Sequence, residues 1–176
     1  MIKGGKGGSK TAHSGLEFEK RVDLRKVFEK LNGYEVKDND LYFNGDLVAH
    51  FYKKHGLYSG LLENNNINWE KILSKKLLPD ETIHILKSNK LFIIEMKFQN
   101  VEGSVDEKLQ TCDFKKKQYS KLVEKMDIEI EYVYILSDWF KNNKYKDTRD
   151  YIESVGCHFF FRKLSLNFLG LPEPIS

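Results

Sequence analysis

The chain has little sulfur and no pattern among its histidines. Its two cysteines, Cys112 and Cys157, form no Cys-x-x-Cys pair. That excludes a zinc-ribbon site and a disulfide framework, and predicts two small core residues. The five histidines (His13, His50, His55, His84, His158) lack metal-ligand spacing. No apolar run is long enough to cross a bilayer. The first residues hold lysines and glycines rather than an apolar signal segment. A cytoplasmic protein with no membrane partner is expected. Net charge is also small, at +3. So slight an excess announces no nucleic-acid partner, but allows one where lysines gather on one face.

What remains reads as globular. A content of 40% hydrophobic and 13% aromatic residues excludes a wholly disordered chain. A length of 176 residues suits one domain with a real core. Residues 1–14 stand apart, rich in glycine and lysine with no acidic residue. Such a stretch holds no regular element cheaply. It is expected to be a flexible basic arm, with Lys6 and Lys10 closing on a phosphate backbone. It is not a P-loop, because no strand precedes it and the glycine–lysine order differs. Residues 15–176 form the single domain.

Residues 15–31 read as an amphipathic helix. Leu16, Leu24, Val27, Phe28 and Leu31 share one side. Ser14 would cap it, with Glu17 completing a capping box. Short strands are expected at 34–36, 41–43 and 47–52, with Asn44-Gly45 as a turn. Short helices follow at 56–62 and 67–73. Residues 105–126 read as one long helix whose Leu109, Cys112, Tyr119, Leu122 and Met126 face a sheet. Lys108, Lys115, Lys116, Lys117, Lys121 and Lys125 populate the rest of it. A buried strand at 128–136, a helix at 138–155 and a strand at 157–161 lead to a short tail, 164–176.

Between these lies the stretch that carries chemistry. Two apolar runs, 82–86 and 91–96, flank Lys87-Ser88-Asn89-Lys90 and read as a β-hairpin. His84 sits mid-strand, packed or hydrogen-bonded. Side chains alternate along a strand, so Glu95, Lys97 and Gln99 share one face. Phe92, Ile94 and Met96 share the other and are the core contacts. Folding the hairpin brings Asp80 beside Glu95. Two converging carboxylates repel. A divalent cation removes that cost, and oxygen ligands suit Mg²⁺, with Mn²⁺ as its substitute. Lys97 would orient an attacking water or stabilise developing negative charge. A cross-strand ion pair on a wet face would explain the same residues.

Pro79-Asp80, fourteen residues, then Glu95-Met96-Lys97 resembles the PD-(D/E)xK signature of the restriction-endonuclease-like nucleases. The resemblance implies an α/β fold with an αβββαβ core, a mixed central sheet flanked by helices. It implies Mg²⁺-dependent phosphodiester hydrolysis, with Asp80 and Glu95 on the metal and Lys97 on the water, assisted by Gln99. An acidic residue on the first core helix often faces such a site, and Glu19 is the candidate, with Glu17 second. Residues 103–110 resemble the stretch after the catalytic strand in type II restriction enzymes, which implies Ser104 and Lys108 near the scissile phosphate. Lys75 and Lys76, just before Asp80, add phosphate contacts. Double-stranded DNA is the implied partner, with 5′-phosphate product ends, and a homodimer would suit a palindromic target. Rival expectations are a junction-resolving or repair endonuclease, and a non-catalytic DNA-binding protein of the same fold.

Overall fold

The structure is a computed structural model that describes residues 15–18, 23–99 and 105–175, leaving aside the side chains of 105 and 106. Among the described residues nine strands run in chain order: β1 (Gly15–Glu17), β2 (Tyr34–Lys37), β3 (Asp40–Phe43), β4 (Asp46–Phe51), β5 (Glu81–Ile85), β6 (Lys90–Lys97), β7 (Glu129–Leu136), β8 (His158–Phe161) and β9 (Lys163–Ser165). The helices are α1 (Leu24–Phe28), α2 (Val105–Leu109), α3 (Cys112–Val123), α4 (Lys146–Ser154) and α5 (Leu166–Leu169).

Strands β2 to β8 form one seven-stranded sheet in sequence order. Pairing is antiparallel from β2 through β6, then parallel from β6 to β7 to β8. Tight turns join β2 to β3, β3 to β4 and β5 to β6, whereas residues 52–80 connect β4 to β5. Asn44 (φ 50°) and Gly45 (φ 88°) take the left-handed turn that matches strand twist. The parallel connections need longer crossovers, supplied by α2–α3 and by α4.

Each face of the sheet has its own core. Leu91, Ile93, Tyr132, Tyr134 and Leu136 pack on α3, on a π-helix at Leu57–Leu62 and on Ile152 of α4. Ile83, Phe92, Ile94, Met96, Val133 and Ile135 pack on α1, Leu16, Leu164, Leu166 and Leu169. The expected two-faced division of β6 is therefore present.

Five expectations are corrected. Residues 15–17 are not helical: they are β1, paired antiparallel with β9, with Leu16 and Phe18 buried and Glu17 outward. Among the described residues of 15–31, only Leu24–Phe28 is helix, capped by the Asp23 side chain. The region 67–73 holds a single 3-10 turn, Trp69–Lys71. The helix from 105 breaks near Thr111, and the one from 138 begins as two 3-10 turns, Asp138–Lys141 and Asn143–Tyr145. The tail is built in: β9 and α5 close the second core, with Ser165 capping α5 and Gly170 (φ 75°) ending it. Cys112 and Cys157 are buried and free, as expected. His84 is held by the Asn89 side chain at 2.8 Å. No helix among the described residues is long and apolar enough to cross a membrane. The arm at 1–14 lies outside the described residues.

Candidate active site

The site forms where β6 outruns β5. Strand β5 begins at Glu81, because Pro79 has no N–H with which to extend the ladder. Strand β6 continues to Lys97 alongside β7. The Met96 N–H that β5 no longer reaches donates instead to Asp80 Oδ2, at 3.0 Å. That bond fixes Asp80 beside the end of β6.

Glu95 and Lys97 project from β6 toward the face covered by α3. Lys97 Nζ donates to Glu95 Oε2 at 2.9 Å and lies 4.0 Å from Asp80 Oδ2. A second ammonium arrives from α3: Lys115 Nζ is 3.6 Å from Glu95 Oε1. The Glu95 side chain is only 6% exposed, against 27% for Asp80, so one carboxylate is sunk and the other reaches solvent. Beneath Glu95 lie the phenols of Tyr119 and Tyr132. Burial, and after it the Glu95 charge, pushes both above the ordinary tyrosine range and keeps them neutral.

Neighbouring elements hold this geometry. The Tyr58 hydroxyl, on the π-helix, donates to Leu77 O at 2.9 Å and accepts from Leu77 N–H at 2.8 Å. The segment leading to Asp80 is thereby anchored three residues upstream. Ser137, after β7, uses its hydroxyl on both sides of the Gln99 backbone, at 3.2 and 3.0 Å. Tyr134, level with Glu95 on β7, donates to the carbonyls of Lys108 and Leu109, each at 3.3 Å.

The remaining expected site residues divide. Gln99 lies beyond the end of β6, so strand alternation does not carry it onto the Glu95 face. Glu17 points outward from β1, with Lys163 at 3.9 Å. Lys75 is exposed. Lys76 is committed to aromatic faces, 4.9 Å from the Tyr58 ring and 4.8 Å from that of Trp69. Lys108 is exposed on α2. Lys6, Lys10, Glu19 and Ser104 lie outside the described residues.

Sequence reasoning missed two features. One is Lys115 as a partner of Glu95. Its signal was present: Cys112, Lys115, Tyr119 and Leu122 follow helical i, i+3, i+4 spacing, so this lysine interrupts a buried stripe. The other is a second charged cluster on the opposite face. Buried Glu81 meets Lys53 at 2.6 Å, and Lys53 lies 3.5 Å from Asp23. Desolvation raises the Glu81 carboxyl, whereas Arg25 holds Asp23 at about 2.

The donor set can be tested against a divalent cation. Asp80 and Glu95 both lie within 4.0 Å of one ammonium, so they converge on one small volume. Mg²⁺ binds through one or two carboxylates and keeps its waters for substrate. Two carboxylates meet that demand, while among the described residues no group of three or more Asp, Glu, His or Cys is placed to hold a metal. Compared with protein-family models, with curated proteins and with solved structures, the chain matches none.

Proposed function

We propose that this chain is a Mg²⁺-dependent endonuclease of the restriction-endonuclease-like kind, acting on double-stranded DNA. The observation that carries the reading is the convergence of Asp80, Glu95 and Lys97 at the open end of β6. The order α1, β4, β5, β6, α3, β7, with β7 parallel to β6, supports the αβββαβ assignment.

Asp80 and Glu95 would hold Mg²⁺, or Mn²⁺ in its place, which would supply a water of lowered pKa and charge neutralisation at the phosphate. Lys97, which lies near both carboxylates, orients the water for in-line attack on phosphorus. Its ammonium also stabilises the negative charge that develops there. The bond to the 3′-oxygen breaks, leaving 5′-phosphate and 3′-hydroxyl ends. Lys75 and Lys108, both exposed, are available for backbone contacts. A homodimer would present two such sites to a symmetric target.

One observation favours a rival. Both Glu95 oxygens already face lysines, as they would in an ion cluster of a non-catalytic DNA-binding protein. Cleavage separates the two. Purified protein is incubated with unmethylated plasmid and with a four-way junction, in Mg²⁺ or EDTA, beside Lys97→Ala. Discrete Mg²⁺-dependent plasmid fragments support a restriction enzyme. Junction cutting alone moves the reading to a resolving or repair nuclease. No cleavage of either substrate leaves the ion cluster and the binding module.

A further inference from the structure

Glu95 carries more cation than a cross-strand pair requires. Lys97 takes one of its oxygens at 2.9 Å and Lys115 stands 3.6 Å from the other. The four charges of Asp80, Glu95, Lys97 and Lys115 cancel, so the set is balanced without a divalent ion. Adding one leaves an excess of positive charge that only a bound anion can offset.

Resting on the hydrolytic reading above, we infer that Lys115 is a further catalytic residue: it holds Glu95 when no cation is bound and transfers to the scissile phosphate when a divalent cation occupies the carboxylates.

Three observations select Lys115 rather than Lys97 as the group that moves. Its contact is the longer one, and it touches one carboxylate where Lys97 reaches two. Its side chain is 27% exposed against 16% for Lys97. Finally, it is borne on a helix whose adjacent Phe114 is 59% exposed, so this edge of α3 borders solvent. A lysine there swings by rotating its own side-chain torsions while α3 stays in place. A partly buried lysine gains from a charged partner, which accounts for its rest position on Glu95.

Lys115 moves charge, not protons. The attacking water gives a proton to bulk solvent as its oxygen bonds to phosphorus and the bond to the 3′-oxygen breaks, and a solvent water protonates the leaving oxygen. Lys115 keeps its three protons throughout and stabilises the added negative charge of the transition state.

The test measures Mn²⁺ binding by titration calorimetry without DNA, and single-turnover plasmid cleavage in Mg²⁺, for wild type, Lys115→Ala, Lys115→Met and Lys115→Arg. Lys115→Met keeps the apolar stem should the alanine variant fold poorly. Removing the charge is expected to tighten Mn²⁺ binding several-fold, because a competing cation is gone. It is expected to slow cleavage by about a hundredfold, the usual cost of one charge-stabilising donor. Lys115→Arg should restore much of the rate. Unchanged Mn²⁺ affinity overturns the displacement, and tighter binding with an unchanged rate overturns the phosphate role. If the wild type cuts no DNA, the nuclease reading and the phosphate role fall together. The Mn²⁺ arm then still decides whether Lys115 competes with a cation for Glu95.

Discussion

Asp80 has two separable jobs, and two substitutions pull them apart. Its Oδ2 accepts the Met96 N–H, and its charge sits 4.0 Å from Lys97. Asp80→Asn keeps an oxygen for Met96 and removes only the charge. The lost ion pair is partly exposed, so the expected cost is about 0–1 kcal/mol. Asp80→Ala also removes the acceptor and strands a backbone donor, at about 1–2 kcal/mol. A side chain 27% exposed lets water substitute in part, which favours the lower end. The asparagine variant gains little from relieved carboxylate repulsion, because Lys97 and Lys115 already balance Asp80 and Glu95. In a domain of this size, 1 kcal/mol corresponds to about 2–4 °C in Tm. Urea and thermal unfolding should therefore rank wild type close to Asp80→Asn, with Asp80→Ala below both. Mg²⁺-dependent cleavage should be lost in both variants. An asparagine variant as unstable as the alanine one would refute the assigned hydrogen bond, and one that still cleaves would refute the metal role.

Other perturbations test the frame around the site. The His158 ring, and after it Lys90, hold the Glu131 carboxyl at about 2 against burial. A depressed carboxyl contributes stability that is complete above its ordinary 4.5 and is lost as pH falls through about 2. The contribution is about 3 kcal/mol, and Glu131→Gln should flatten the urea midpoint between those pH values. Lys76→Ala should cost about 1 kcal/mol through its contacts with Tyr58 and Trp69. Lys75→Ala should leave the melting curve in place and weaken DNA binding, read as a shallower salt dependence of Kd. Gly45 has open space for a Cβ but φ of 88°, so Gly45→Ala should destabilise by about 1 kcal/mol from backbone strain alone, checked by chemical unfolding.

Much of the sheet was legible because its signals are local. The 81–97 hairpin, the Asn44-Gly45 turn and the apolar run of β7 each announce themselves within one short stretch of chain. The segments 15–31 and 164–176 were not read correctly, for a nonlocal reason. Leu16 and Phe18 alternate with Glu17 as a strand should, but β1 is stabilised by β9 nearly 150 residues away. Leu16 also fits helical spacing with Leu24 and Phe28, and only the distant partner decides between the two periods. The tail carried a readable Ser165 cap and Gly170 stop, yet four residues of helix look like loop until Leu166 and Leu169 are seen closing a core. Within the site, Asp80, Glu95 and Lys97 followed from strand alternation and hairpin folding. Lys115 did not, because a lysine on a lysine-rich helix draws notice only when its place in the Cys112–Tyr119–Leu122 stripe is checked. Gln99 lies past the point where β6 ends, so alternation alone does not assign it to the Glu95 face.

The most direct measurement is digestion of unmethylated duplex DNA by the full chain in Mg²⁺, with EDTA and Lys97→Ala as controls and the fragment ends mapped. If Asp80, Glu95 and Lys97 form a hydrolytic site, cleavage depends on the ion, leaves 5′-phosphates and disappears with Lys97. Intact DNA under all conditions, from a protein that melts cooperatively, would contradict that and leave these residues as an ion cluster at the end of β6.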